Sequence, residues 1–291
     1  MAAIPEDYRT RPVAVVGAGT LGRRIALMFA TRGGTVRITD PDAAQGKAAV
    51  DFAMGQLAEV TSSVDDGVPG EVTYEPEQSQ AVADTWLVVE AVPERLELKK
   101  SIFAQLDRDC PSDAVVSSNS SSYASRLFTE GLRTSDRMLN THFYMPPSST
   151  VLDVMSNGNT AQEVIDFVLK SFPDFGLHPF LCHKESTGFI LNRIWAAIKR
   201  EALEVVHEGV STPQDIDTMY TLNFGTAAGP FRMMDVVGLD VVLDIEKHYA
   251  QDNPSLPHGP QTVLEDYIAK GRKGLKSGAG FYDDYPDRDQ E

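Results

Sequence analysis

A glycine-rich turn near the start of the chain has the composition and spacing of a phosphate-binding loop. The segment 17–22 reads GAGTLG, a GxGxxG pattern that directly follows the apolar run at 12–16. Glycine permits a tight turn and a close approach of a pyrophosphate, and the first N–H groups of a following helix can donate to it. Asp40 ends the next predicted strand, where a carboxylate accepts hydrogen bonds from an adenosine ribose. The predicted cofactor contacts in this region are Gly17, Gly19, Thr20, Leu21, Gly22 and Asp40.

The residue types around Asp40 favour NAD over NADP as the cofactor. A carboxylate at this position repels the 2′-phosphate of NADP, and Pro41 and Asp42 supply no arginine to bind one. Arg37, on the predicted strand before Asp40, is the one contrary feature. A glycine-rich loop in an unrelated α/β fold is the alternative to a nucleotide site.

The elements that must position these residues alternate between strands and helices. Apolar runs predict strands at 12–16, 36–39, 86–89 and 114–116, and helices are predicted after the glycine turn, at 42–60 and at 94–106. Such alternation is typical of a parallel sheet that helices cover on both faces. A further strand-like segment lies at 138–141.

The pattern changes after residue 184, where only helical periodicity is found. An amphipathic helix is predicted at 188–208, a helix start at 211–215, and further helical segments at 233–249 and 260–270. The predicted fold class is therefore α/β, a Rossmann-type doubly wound sheet followed by an all-α C-terminal domain. The expected domains are an NAD-binding domain over 1–184 and a helical substrate and dimerisation domain over 185–291.

Composition narrows the range of functions. The 291 residues are 42% hydrophobic and 23% charged, as in a folded protein, and the net charge of −16 disfavours nucleic acid and anionic membrane surfaces as partners. No apolar run approaches the ~18 residues of a membrane span. Cys110 and Cys182 form neither a disulfide framework nor a zinc motif, so no metal is predicted and the cytoplasm is the expected location.

Several segments resemble the 3-hydroxyacyl-CoA dehydrogenase family. They are VAVVGAGTLGRRIA at 13–26, ADTWLVVEAVPERLELKKSIFAQLD at 83–107, SSNSSS at 117–122, NTHFYMPP at 140–147, STGFILNRI at 186–194 and GPFRMMDVVGLD at 229–240. Two segments, at 92–107 and 188–217, are most similar to the L-gulonate 3-dehydrogenase (lambda-crystallin) branch. The resemblance implies reversible oxidation of a 3-hydroxyl to a ketone with NAD, and a homodimer formed through the helical domain.

The resemblance also assigns the catalytic residues. His142 occupies the position of the family's base, and histidine suits proton transfer because its pKa lies near working pH. Asp153 matches the acid that orients this base, although the family usually has a glutamate there and a loop one residue longer. Met145 stands where the family has an asparagine. An ordinary surface carboxylate is the alternative for Asp153.

Four further polar residues match family positions. Ser121 and Asn192 match donors to the reacting oxygen, and such donors stabilise a developing alkoxide. Glu94 and Lys99 match positions on the cofactor side, with an ordinary exposed ion pair on a helix as the alternative.

The charge of the segment 41–80 bears on whether the substrate is a CoA thioester. In CoA-using members, the resemblance implies, basic residues on a helical hairpin after the second strand hold the CoA nucleotide. Here Lys47 is the only base among eight acids, a net charge of −7, and the hairpin looks shortened. The hypothesis is a small CoA-independent substrate, such as a free 3-hydroxy acid, with Arg193, Lys199 and Arg232 as candidate anchors for its carboxylate.

Two other functions compete with this hypothesis. The first is an L-3-hydroxyacyl-CoA dehydrogenase, in which the basic run at 270–276 would reach the CoA phosphates. The second is a non-catalytic NAD-binding sensor or structural protein, which the presence of His142, Ser121 and Asn192 disfavours. A 6-phosphogluconate or 3-hydroxyisobutyrate type of dehydrogenase would need a catalytic lysine signature that this chain lacks.

Overall fold

The computed structural model describes residues 4–285, which divide into two compact units at residues 190 and 191. The end of the predicted second domain, residues 286–291, lies outside the described residues. The division falls later than the predicted boundary after residue 184, because Phe189 is buried with Met155 and Cys182 of the first unit. The backbone N–H of Ile190 also donates to Asp153 there, at 3.4 Å.

The first unit is an eight-stranded sheet with helices between its strands. Its strands are β1 (Val13–Val16), β2 (Thr35–Thr39), β3 (Glu71–Tyr74), β4 (Leu87–Glu90), β5 (Val115–Ser118), β6 (Met138–Met145), β7 (Ser149–Ser156) and β8 (His178–Cys182). Its helices are α1 (Thr20–Phe29), α2 (Ala43–Thr61), α3 (Gln78–Val82), α4 (Leu96–Asp109), α5 (Arg126–Thr129) and α6 (Gln162–Ser171), with 3-10 turns at Ser135–Arg137 and Phe172–Phe175.

The strand order, β3-β2-β1-β4-β5-β6-β7-β8, confirms the predicted Rossmann-type sheet. All neighbouring pairs are parallel except β6 and β7, which are antiparallel. The chain reverses its direction of winding between β1 and β4, and open α/β sheets bind ligands outside the carboxyl ends of the strands at such a point.

The alternation of side chains along the strands explains why both faces are covered. In β1, Val13 and Val15 join an apolar cluster with α1, α2 and α6, whereas Ala14 and Val16 join a second cluster with α3, α4 and α5. Successive side chains of a strand point to opposite faces, so a strand that is apolar throughout requires helices on both sides.

Six elements were not predicted from the sequence, namely β3, α3, α5, β7, α6 and β8. The segment between α2 and β4, for which the sequence predicts no strand or helix, contains β3 and α3. Strands β3 and β8 are the two edges of the sheet, and neither is buried along its whole length. A strand that is only partly buried lacks the continuous apolar run that identifies a central parallel strand.

The second unit is helical, as predicted. It contains α7 (Leu191–His207), α8 (Pro213–Phe224), α9 (Pro230–Val237), α10 (Leu239–Asp252) and α11 (Gly259–Ala269), followed by a 3-10 turn at Leu275–Ser277. Helix α7 begins later than the predicted residue 188 because Gly188 and Phe189 have positive φ angles of 74° and 54°, which an α-helix excludes. Gly238, with φ of 100°, separates α9 from α10. None of the helices in residues 4–285 combines the length and apolar composition that a membrane crossing requires.

A buried ion pair joins α4 to the end of β4. The ammonium of Lys99 lies 2.8 Å and 3.0 Å from the two carboxylate oxygens of Glu90, and both side chains are almost completely buried. Ser118 at the end of β5 donates to the same carboxylate at 2.6 Å, and the backbone N–H of Val92 donates at 2.8 Å. The alternative prediction, in which Lys99 belongs to an ordinary exposed ion pair on a helix, is therefore wrong, because this side chain is only 1% exposed.

We expect Lys99→Met to destabilise the first unit by about 3–5 kcal/mol, because it leaves the Glu90 carboxylate buried without a cation. Urea denaturation followed by the fluorescence of buried Trp86, in a Trp195→Phe background, measures this unit separately.

The control is Lys100→Met, which removes the neighbouring ammonium from an exposed pair with Glu97. Exposed pairs contribute roughly 0–1 kcal/mol, so this variant should unfold close to the wild type. Equal unfolding midpoints for the two variants would contradict the expected role of Lys99.

Candidate active site

The glycine turn between β1 and α1 has the geometry that a pyrophosphate requires. Gly17 has φ of 108°, and a Cβ there would lie 2.6 Å from the carbonyl oxygen of Ala91. A Cβ on Gly22 would lie 1.9 Å from the carbonyl oxygen of Gly17. Helix α1 has Gly19 as its N-cap and no side-chain cap, so its first N–H groups are open to an anion. The turn therefore fits the phosphates of a dinucleotide.

The carboxylate of Asp40 lies at the end of β2, beside this turn. Its Oδ2 accepts from the backbone N–H of Ala18 at 2.8 Å and from Gln45 Nε2 at 3.1 Å, and Oδ1 accepts from the N–H of Asp42 at 2.9 Å. These bonds fix the carboxylate at the end of β2, where Rossmann-type nucleotide sites have the acid that binds the adenosine ribose. Arg37, the one residue that counted against NAD as the cofactor, forms an ion pair with Asp84 and so is already paired with a carboxylate of this chain.

One cleft of about 420 Å³ brings most of the predicted cofactor residues together. Its lining includes Gly17, Gly19, Thr20, Leu21, Asp40, Glu94, Lys99 and Ser121, together with Gln45, Asn119 and the backbone turn at 91–93. The third glycine, Gly22, lies behind the turn, where it allows α1 to pack against Gly17.

Glu94 holds the loop that carries Ser121. Burial opposes its ionisation, but the Lys99 ammonium and donors from Ser120 and Ser122 together keep the pKa of Glu94 below its usual value. The Ser120 hydroxyl donates to Glu94 Oε1 at 2.5 Å, and the N–H of Ser122 donates to the same oxygen at 2.9 Å. Ser121 lies between these two contacts, with its exposed side chain at the cleft.

His142 and Asp153 lie directly opposite each other on the antiparallel strands β6 and β7. Both residues are buried, with 6% of the surface of His142 and 2% of that of Asp153 exposed. His142 Nδ1 lies 3.5 Å from Asp153 Oδ2. The imidazole stacks on Phe189, with ring centroids 4.9 Å apart and planes 11° apart. The structure thus places the predicted acid beside the predicted base. The alternative prediction, that Asp153 is an ordinary surface carboxylate, is wrong.

Tyr144 and Asn119 belong to this region but were not identified from the sequence. The Tyr144 hydroxyl donates to Asp153 Oδ2 at 2.6 Å. Asn119 Oδ1 accepts from the N–H of Phe143 at 2.8 Å, which ties the serine loop to the strand of His142. A signal for Tyr144 was its position two residues after His142, since alternate residues of a strand share one face.

Asn192 and the candidate carboxylate anchors lie in the second unit. Asn192 is half-buried at the start of α7, and its place beside the reacting oxygen stays a prediction. Arg232 is paired with Asp284. Burial lowers the pKa of Lys199 to about 8.

Comparison with known proteins covers almost the whole chain. Residues 12–186 match the model of the 3-hydroxyacyl-CoA dehydrogenase NAD binding domain, and residues 188–284 match the model of the C-terminal domain of the same family. A probable 3-hydroxyacyl-CoA dehydrogenase of Caenorhabditis elegans is 31% identical, over 94% of this chain and 95% of the relative.

Two solved structures have the same fold along their full length. The (S)-3-hydroxybutyryl-CoA dehydrogenase of Ralstonia eutropha superposes with a TM-score of 0.84 and 25% identity, over 96% of this chain and 100% of the other. A diketoreductase that acts on dicarbonyl compounds superposes with a TM-score of 0.80 and 29% identity, over 97% and 99%. The family models and the relatives agree, and this chain belongs to the 3-hydroxyacyl-CoA dehydrogenase family of NAD-dependent oxidoreductases, which act on CH–OH groups.

Proposed function

We propose that the protein interconverts a secondary alcohol and its ketone on a 3-hydroxy acid or 3-hydroxyacyl substrate, with His142 as the base. The observation that carries this proposal is the buried pair of His142 and Asp153 on facing strands. Because Nδ1 faces the carboxylate, Nε2 is the basic nitrogen that remains for a substrate. Their separation of 3.5 Å is compatible with this role, because hydrogen bonds between catalytic groups are often long until substrate binds.

Each residue of the site has a defined task in alcohol oxidation. His142 Nε2 takes the hydroxyl proton, and Asp153 stabilises the imidazolium that forms. Bound NAD supplies the hydride acceptor. Ser121 and Asn192 donate hydrogen bonds to the oxygen as negative charge develops on it. In ketone reduction the same imidazolium returns the proton.

The residues that line the cleft support the proposed cofactor contacts. The glycine turn and the N-terminus of α1 would bind the pyrophosphate, and Asp40 would accept from the adenosine ribose. Glu94 and Lys99 lie farther along the cleft, towards the loop of Ser121. We assign them to the nicotinamide side, where Lys99 acts mainly by holding Glu90 and Glu94.

A small substrate without CoA is favoured by the surface after β2. The segment 41–80 forms a single helix, α2, before the chain enters β3, so no helical hairpin precedes that strand. Seven of the eight acids in 41–80 are exposed. Each close contact between like charges costs on the order of 1 kcal/mol even in water, so this surface would weaken a multiply anionic CoA. The similarity to a diketoreductase supports the same choice, and the lambda-crystallin branch remains our prediction for the lineage.

The alternative is an L-3-hydroxyacyl-CoA dehydrogenase, and relatives of that description favour it. Both the Caenorhabditis elegans relative and the Ralstonia eutropha structure are named for acyl-CoA substrates.

We also propose a cytoplasmic location.

We further propose a homodimer formed through the second unit. The dimer is supported by several large apolar side chains that are exposed on α8 and α9, since apolar residues clustered on a surface mark interaction sites. Those most exposed are Leu222 (82%), Met219 (70%), Phe224 (66%) and Val236 (61%).

The substrate proposal is tested by NADH oxidation with free 3-oxo acids, small diketones and acetoacetyl-CoA. We expect turnover of the free acids or diketones, and His142→Gln should lower kcat by about 10²–10⁴-fold without changing the Kd for NADH.

His248→Gln is the control, because His248 is exposed on α10. Turnover of acetoacetyl-CoA alone would establish the alternative function. Tight NADH binding with no turnover of any compound would favour a non-catalytic role.

The dimer is tested by sedimentation velocity, in which we expect the wild type at twice the chain mass. Leu222→Asp should produce monomers, because it places a charge inside an apolar interface. Val68→Asp, at a 55% exposed apolar residue of the first unit, should leave the dimer intact. A monomeric wild type would refute the proposal.

A further inference from the structure

The hydroxyl of Tyr144 binds the same carboxylate oxygen that faces the proposed base. Tyr144 Oη lies 2.6 Å from Asp153 Oδ2, whereas His142 Nδ1 lies 3.5 Å from it. The two aromatic rings meet edge to face, with centroids 4.7 Å apart and planes at 70°. Base, acid and phenol therefore form one contiguous group on β6 and β7.

The bond to Tyr144 is the shortest contact that holds the Asp153 carboxylate. The contact with His142 is at the upper limit for a hydrogen bond, and the N–H of Ile190 reaches Oδ1 only at 3.4 Å. A phenol bound to a carboxylate at 2.6 Å is a charge-assisted hydrogen bond, which is stronger than one between neutral groups. Without this phenol, the contacts that remain to the carboxylate within residues 4–285 are two long ones.

The length of the acidic side chain explains why such a restraint is needed. Asp153 has one methylene fewer than glutamate, so its carboxylate reaches less far across the hairpin towards Nδ1. An aspartate in direct register with the histidine can face it, but the short side chain leaves a gap of 3.5 Å. The tyrosine hydroxyl approaches from the same strand as the histidine and fixes Oδ2 on the side of the imidazole.

We propose that Tyr144 is a positioning residue, which holds the Asp153 carboxylate against Nδ1 of His142 and thereby keeps Nε2 free as the base. This inference rests on the proposed function of His142. Phe189 stacks on one face of the imidazole, so the ring is fixed by an aromatic plane and by the acid that Tyr144 holds. Tyr144 itself takes no proton and contacts no reacting atom in this role.

The first test is Tyr144→Phe, which removes only the hydroxyl. We expect kcat to fall about tenfold while KM and the Kd for NADH stay unchanged, because the loss corresponds to one hydrogen bond to a charged group. Loss of packing alone would instead lower stability and leave kcat unchanged.

The second test is rescue by a longer acid. Asp153→Glu reaches Nδ1 without help, so in the Tyr144→Phe background it should restore kcat to within about threefold of the wild type. In the wild-type background the same change should lower kcat, because the longer side chain collides with the Tyr144 hydroxyl. Additive effects of the two changes would overturn the proposal.

Tyr8→Phe provides a matched control. The Tyr8 hydroxyl donates to Asp174 Oδ2 at 2.7 Å, so the substitution removes the same kind of bond from the first unit. Neither Tyr8 nor Asp174 lines the cofactor cleft. We expect Tyr8→Phe to leave kcat unchanged, although it removes a hydrogen bond of the same kind.

A readout without turnover separates this inference from the proposed function. The imidazole ¹⁵N signals of His142 should show the Nδ1–H tautomer in the wild type and in the double variant, and a mixture of tautomers in Tyr144→Phe. An unchanged spectrum in Tyr144→Phe would overturn the positioning role. If His142→Gln retains full activity, the proposed function fails, whatever the spectra of Tyr144→Phe show.

Discussion

The buried carboxylate of Glu90 connects the parts of the cleft that come from different strands. It lies at the end of β4, between β1 and β5, and binds the Lys99 ammonium, the Ser118 hydroxyl and the N–H of Val92. Lys99 in turn binds Glu94, which holds the loop around Ser121. A buried charge requires a partner and further hydrogen bonds, so this group tolerates few arrangements. The buried Glu90 carboxylate and its partners therefore hold the residues on the cofactor side of the cleft in place.

The pair of His142 and Asp153 depends on a local exception to the parallel sheet. Parallel strands need a long crossover between them, whereas the antiparallel strands β6 and β7 are joined by a short turn. Residues eleven apart in the sequence therefore face each other directly. Asn119 links the first residue after His142 to the serine loop, so the hairpin and the cofactor cleft share one hydrogen-bond network.

The distribution of charge separates cofactor recognition from substrate recognition. In the proposed function the anionic cofactor would be bound by backbone N–H groups at the glycine turn and at the N-terminus of α1, which require no basic side chain. The overall charge of −16 and the exposed acids after β2 are therefore compatible with a dinucleotide site. The same acids would oppose a second large anion such as CoA, and this repulsion is the physical basis of our proposal of a smaller substrate.

Local requirements of the backbone made much of this protein predictable from its sequence. Only glycine fits the positive φ at residue 17 and the close approach of residues 17 and 22, so the cofactor turn was recognisable. A strand that is buried on both faces is apolar throughout, so the central strands were recognisable as well. The family resemblance located His142 and Asp153. The edge strands β3 and β8 were missed because their partial burial leaves no continuous apolar run.

The tertiary structure decided which side chains meet. The sequence could not show that Lys99 is buried on Glu90, that Arg37 is paired with Asp84, or that Tyr144 shares the carboxylate of Asp153 with His142. These contacts join residues from different elements, and they depend on strand register and helix packing. A shift of one residue in the pairing of β6 and β7 would move Asp153 to the opposite face of the sheet, so composition and spacing alone do not determine the contact.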